Sequence, residues 1–157
     1  MVINIEQHKL EELTDEVNET VLNMPSGMLG FAEYKQFVLV EGEKYAPFKR
    51  LQSVDNPQLG FVVIDPMEFF PDYDIELSDH ETGQLGLEDA TDAKIVSTVT
   101  FDRKEGWMTT NLLGPIVINT KLRVAKQIVL EDERYGTKHL IGNHSYFEDS
   151  KDQRQAV

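Results

Sequence analysis

Along most of this chain, apolar residues come in short β-branched runs separated by turn-forming residues. Phe37-Val-Leu-Val40 is apolar throughout, the pattern of a strand covered on both faces, and Glu41-Gly-Glu-Lys44 ends it. Phe48 to Val54 predicts a second strand, closed by Asp55-Asn-Pro57. Phe61-Val-Val-Ile64 predicts another buried strand, stopped by Asp65-Pro66. Ile95-Val-Ser-Thr-Val-Thr-Phe101 is β-branched and partly alternating, and Lys104-Glu-Gly106 reads as a hairpin turn into Trp107-Met-Thr-Thr-Asn111. Val124 to Leu130 predicts a further strand. Between Phe37 and Ile64 the gaps are short and turn-like, the spacing of antiparallel pairing rather than of βαβ crossovers. Phe37, Val62, Ile64, Val99 and Ile118 are expected in the core.

The run Asn111-Leu-Leu-Gly-Pro-Ile-Val-Ile-Asn119 is cut by Gly114-Pro115. Proline gives no N–H to a ladder and glycine weakens a strand interior. The stretch therefore predicts strand, corner, strand, with Ile116 and Ile118 facing one way and Val117 the other. Pro25-Ser-Gly27 and Gly30 supply a turn around Met28 and Leu29. Residues 1–24 support two readings. Leu10, Leu13, Val17 and Val21 recur at helical steps, favouring a helix from about Lys9 to Asn18, while Val2, Ile3, Ile5 and Thr20-Val21-Leu22 suit strands. Beyond Ile141 the chain is polar, and residues 142–157 are expected to fray as a tail to a single domain over 1–141, with Tyr146 and Phe147 available to dock.

Charge changes the picture more than length does. A chain of 157 residues fits one domain and buries roughly two thirds of its unfolded surface. Its formal net charge is −13. Such a surface repels nucleic acid, whose affinity is built from lysine and arginine on phosphates, and attracts a basic protein. The charge is also uneven. Residues 51–93 hold eleven carboxylates, from Asp55 to Asp92, and no lysine or arginine. Phe69, Phe70 and Tyr73 interleave with them, which predicts a packed excursion that presents charge. Leu87 to Ala93 is expected to make a short helix with Glu88 and Asp89 in its first turn.

Candidate chemistry adds little. Cysteine is absent, so no disulfide or thiolate site exists. The start lacks the basic flank and apolar stretch of a signal peptide, and no apolar run approaches the ~20 residues that span a bilayer, so a soluble, cytoplasmic protein is expected. Of His8, His80, His139 and His144, none falls in a His-Glu-x-x-His pattern. His80, between Asp79 and Glu81, is the one candidate base or metal ligand. Asp72-Tyr-Asp74-Ile-Glu76 begins like a calcium loop but has Leu77 where the turn glycine belongs and Gly83 in place of the final glutamate. No nucleophile elbow, Walker lysine or dinucleotide fingerprint is present. No catalysis and no cofactor are expected.

Several stretches, in order, resemble the family of the bacterial flagellar assembly factor FliW. They are Pro25-Ser-Gly27 with Gly30-Phe31, Phe37-Val-Leu-Val40, Pro47-Phe48 with Leu51-Gln-Ser-Val-Asp55, Phe61-Val-Val-Ile-Asp-Pro66 with Pro71-Asp-Tyr73, Asn111 to Asn119, and Gln127-Ile-Val-Leu130 with Tyr135. The chain departs from the family where Leu29 replaces a proline and where a glycine is missing near His8 and Lys9.

The resemblance implies an all-β fold: a small, partly open antiparallel barrel with one or two short helices and two strands within residues 1–24. It implies a flagellar assembly factor that acts as a flagellin-binding chaperone in the cytoplasm. It also implies binding to CsrA, a small RNA-binding repressor of flagellin translation, so that translation is coupled to export. No direct nucleic-acid or membrane contact is expected. The partner surface is expected at Glu68, Phe69, Phe70, Asp72, Tyr73, Asp74 and Glu76, with Asn111, Leu112 and Leu113 beside them. An oligonucleotide-binding β-barrel and a small metal-dependent hydrolase using His80 are the alternatives.

Overall fold

The computed structural model describes residues 1–4 and 17–143. Most of the helix expected over Lys9 to Asn18, and most of the polar tail, lies outside them. Asn18 itself opens a strand.

The described strands in chain order are β1 (Val2–Ile3), β2 (Asn18–Asn23), β3 (Gln36–Glu41), β4 (Phe48–Ser53), β5 (Gly60–Ile64), β6 (Ile75–Glu76), β7 (Ala93–Phe101), β8 (Trp107–Thr110), β9 (Ile116–Asn119), β10 (Val124–Gln127) and β11 (His139–Asn143). The neighbours run β7-β5-β4-β3-β2-β10-β9, and β9 returns to β7, closing a seven-strand barrel. The expected all-β barrel is what the chain builds. One seam is narrow: β2 and β10 meet in parallel, through Val124 opposite Asn23, whereas every other named pairing is antiparallel. β7 serves two sheets. Its first half faces β9, and its second half carries β8 and then β11 away from the barrel. β11 runs to Asn143.

Small barrels are filled by side chains. Here the filling is Leu22, Met24, Phe37, Leu39, Leu51, Val63, Val96, Ile116, Ile118 and Ala125. A second core lies outside, where Ile95 and Val117 meet Ile3, Met67, Tyr73, Ile75, Leu77, Leu85 and Leu87. The excursion between β5 and β7 thus roofs the outer face of β7 and β9. As the period-2 pattern predicts, Ile116 and Ile118 point one way and Val117 the other, but all are buried, because both faces of β9 are covered.

The remaining barrel wall is covered on one face only. Phe37 and Leu39 are buried while Val38 and Val40 are half-buried. Val62, expected in the core, is 39% exposed on the outer wall, and Val99 is half-buried where β7 leaves the barrel. The helix expected over Leu87 to Ala93 forms upstream instead, at Asp79–Leu85. Ser78 and Glu81 make a reciprocal capping box at its start, and Gly86 in the left-handed region (φ 64°) ends it, leaving only a 3-10 turn at Ala90–Asp92. Gly27, also left-handed at φ 63°, is required in its turn, since a Cβ there would sit 2.7 Å from the Ala32 Cα.

Two polar devices hold these layers. Asn119, 2% exposed, donates to the carbonyls of Leu85 (2.9 Å) and Gly86 (3.1 Å) and accepts from the amides of Lys121 and Leu122. It therefore terminates the roof helix and folds its own turn. Lys94, 5% exposed, pairs with Glu41 at 2.7 Å, and Lys49 approaches the same carboxylate at 3.0 Å. Burial alone would push the Glu41 carboxyl up, but the Lys49 and Lys94 charges outweigh it and hold it below its ordinary value.

Replacing Asn119 by Ala leaves the buried Leu85 carbonyl unpaired, at a cost of about 2 kcal/mol. The urea midpoint should fall without a change in slope, and amide exchange in Asp79–Leu85 should quicken. Glu41→Gln removes the charge that Lys94 and Lys49 share and should cost about 3 kcal/mol at neutral pH. Because the folded carboxyl is depressed, the wild-type advantage is complete above the ordinary carboxylate value of 4.5 and disappears as pH falls through the lower folded value. Urea titrations of both proteins across that range measure the convergence.

Candidate functional site

After β5 the chain leaves the barrel through a capped turn. The Asp65 carboxylate accepts the Met67 amide at 2.9 Å, and Pro66 opens the one-turn helix Pro66–Phe69. Met67 enters the outer core, which leaves Glu68 exposed and Phe69 and Phe70 half-buried. Tyr73, 1% exposed, donates its hydroxyl to the Leu112 carbonyl at 2.8 Å. Burial pushes the Tyr73 phenol well above its ordinary value, with Tyr135 and Asp132 adding to the effect, so it stays a neutral donor. At β6, Ile75 turns inward and Glu76 outward.

A second segment, residues 131–139, completes the surface. Tyr135 meets the Tyr73 ring edge-on at 4.7 Å, and its oxygen accepts the Asp74 amide at 3.3 Å. Arg134 donates to Asp74 (3.0 Å) and Asp132 (2.7 Å), with its guanidinium 5.0 Å from the Tyr135 ring centre. Its hydrogen bonds hold the Asp132 carboxyl below the ordinary range. The Gly136 carbonyl accepts the amides of Leu112 and Leu113, each at 3.1 Å. The Gly136 amide donates to His139 Nε2 at 2.8 Å, and the His139 ring meets Phe70 edge-on at 5.7 Å. The Asn111 side chain accepts from the Leu113 and Gly114 amides, which forms the Gly-Pro corner.

The two predicted stretches are thus brought together, through Tyr73 and Leu112. Those two residues are buried and support the surface from beneath. Glu68, Asp72 and Glu76 stand exposed, while Asp74, Asn111 and Leu113 are half-buried. Glu131, Asp132, Glu133, Arg134, Tyr135 and His139 complete the surface although the sequence reading left them out of it. The matching signal was a second acidic run followed by ring residues. Residues 74–78 and 130–133 face each other across a groove of about 570 Å³. It is lined by five carboxylates, Asp74, Glu76, Glu131, Asp132 and Glu133, and Arg134 compensates part of that charge.

Such a groove attracts cations over a distance. Among the described residues no three His, Asp or Glu side chains gather to hold a metal ion, and no helix is long and apolar enough to cross a membrane. His80 is exposed in the first turn of Asp79–Leu85.

The sequence profile of the family described as FliW protein matches residues 4–141. A flagellar assembly factor FliW from Natranaerobius thermophilus is 42% identical over 130 residues, covering 82% of this chain and 86% of the relative. One from Geobacter sulfurreducens is 44% identical over 119 residues (76% and 74%), and one from Bacillus subtilis 35% identical over 145 residues (92% and 99%). A crystal structure of the flagellar assembly factor FliW superposes with a TM-score of 0.72 at 40% identity, covering 77% of this chain and 84% of that one. With its barrel, Gly-Pro corner and acidic roof, the chain belongs to the FliW family of flagellar assembly factors.

Proposed function

We propose that this flagellar assembly factor is a cytoplasmic, non-catalytic regulator that holds newly made flagellin and, when free of it, binds and antagonises CsrA. The observation that carries the CsrA half is the acidic groove. A translational repressor that grips RNA must present lysine and arginine to phosphate. A groove lined by Asp74, Glu76 and Glu131 to Glu133 offers the complementary charge, and the aromatic staple beneath holds it in place. Rim carboxylates of this kind chiefly raise the association rate, while desolvated contacts beside them supply affinity. Phe69, Phe70 and Leu113, half-buried at the margin, are the residues placed to supply them. Flagellin binding is inferred from family membership and rests on no side chain described above.

Asp74 is tied to Arg134 and Tyr135, so the informative reversals are the exposed ones. Asp72→Lys with Glu76→Lys should weaken CsrA binding about tenfold at low salt and by less at moderate salt. Far-ultraviolet circular dichroism should stay unchanged. Titration calorimetry at two ionic strengths measures both effects, and an unaltered affinity with an unaltered salt slope would remove the groove from the interface. Flagellin leader RNA distinguishes the roles: an antagonist releases RNA from CsrA and leaves RNA alone unshifted, whereas an oligonucleotide-binding barrel shifts it directly.

A further inference from the structure

The flared sheet β7-β8-β11 carries a surface unlike the rest of the molecule. Phe101, Trp107 and Leu140 are 41%, 43% and 55% exposed and line one depression of about 700 Å³. Its rim holds Arg103, Lys104 and Lys138, all exposed. Among the described residues none of these three cations makes an ion pair. The one carboxylate in the lining, Asp102, already accepts the Lys104 and Glu105 amides at 2.9 and 3.1 Å, fixing the hairpin turn. In a chain of net charge −13, this is a locally cationic apolar face. It lies on the extension that β8 and β11 add to the end of β7, beyond the closed barrel, and β11, its outer strand, has a neighbour on one side only among the described residues.

We propose that this face is a docking surface for an extended acidic peptide segment of a partner protein, one that alternates carboxylates with apolar side chains. Three observations converge. Exposed large apolar side chains grouped in a depression mark interaction sites, whereas scattered ones do not. The cations at the rim select carboxylates and repel the basic segments that the acidic groove attracts. An outer strand offers backbone pairing to an extended segment, whose alternate side chains would then reach the depression. Single-stranded RNA also seeks aromatics among cations. It suits this face less well, because a strand longer than the depression would run onto a protein of net charge −13 and because Leu140 offers no ring to stack on. The surface is independent of the acidic groove and of the role proposed for it.

Trp107 is the chain's single tryptophan, so its emission reports on the face directly. The full-length protein is titrated with a short synthetic peptide alternating glutamate with leucine and phenylalanine. The same peptide with lysine for glutamate, and an oligouridine, are titrated in parallel. The acidic peptide should shift Trp107 emission saturably. Affinity should drop about tenfold in Lys104→Glu with Lys138→Glu and severalfold in Leu140→Ser, and should be unchanged in Asp72→Lys with Glu76→Lys. All these positions are exposed, and matching thermal melts show that the fold is intact. No saturable shift with the acidic peptide, equal binding of the lysine peptide, or stronger binding of oligouridine would each overturn the proposal, the last by making this a nucleic-acid face.

Discussion

Strand β9 has no solvent side. Ile116 and Ile118 fill the barrel, Val117 fills the outer core, and its backbone pairs with β7 on one edge and β10 on the other. Everything else is arranged around these four residues. Because the outer face of β7 and β9 is apolar, it must be roofed, and the segment between β5 and β7 supplies the roof. The roof is therefore part of the fold, and the carboxylates on its outer side are held by the same packing that closes the barrel. Asparagines bound the stretch for related reasons. Asn111 turns the chain into the Gly-Pro corner, and Asn119 turns it out again while capping the roof helix.

Much of this was legible because strands and turns leave local signals. β3, β4, β5, β7 and β8 stand where the apolar runs placed them, and Gly106 makes the hairpin turn with φ 76°. What was not legible was which face each strand would cover. An unbroken run such as Phe61 to Ile64 looks the same whether its outer face meets protein or solvent, so Val62 was misplaced. The Asp79–Leu85 helix was readable in principle from Ser78 and Glu81, whose spacing is that of a capping box. The acidic half of the site was visible in composition. Its other half, residues 131–139, lies about sixty residues further along the chain, and it takes the fold, through Tyr135 on Tyr73, Arg134 on Asp74 and His139 on Phe70, to bring the two together.

Charge is sorted on this molecule. Carboxylates line the groove between the roof and residues 130–133, while three cations ring the aromatic depression on the flared sheet. The net value of −13 conceals that division. A long polyanion would meet repulsion over most of its length, but a short segment that touches only one of the two surfaces would not. Two partners of opposite charge can be served without sharing a contact residue.

Gly136 follows the second acidic run, its carbonyl accepting the Leu112 and Leu113 amides and its N–H donating to His139 Nε2. That geometry fixes a tautomer. Nε2 can accept only while it carries no hydrogen, so the neutral ring holds its proton on Nδ1. The position of one proton thus sets the orientation of the imidazole that meets both Phe70 and Tyr135, the rings on which the acidic surface is built.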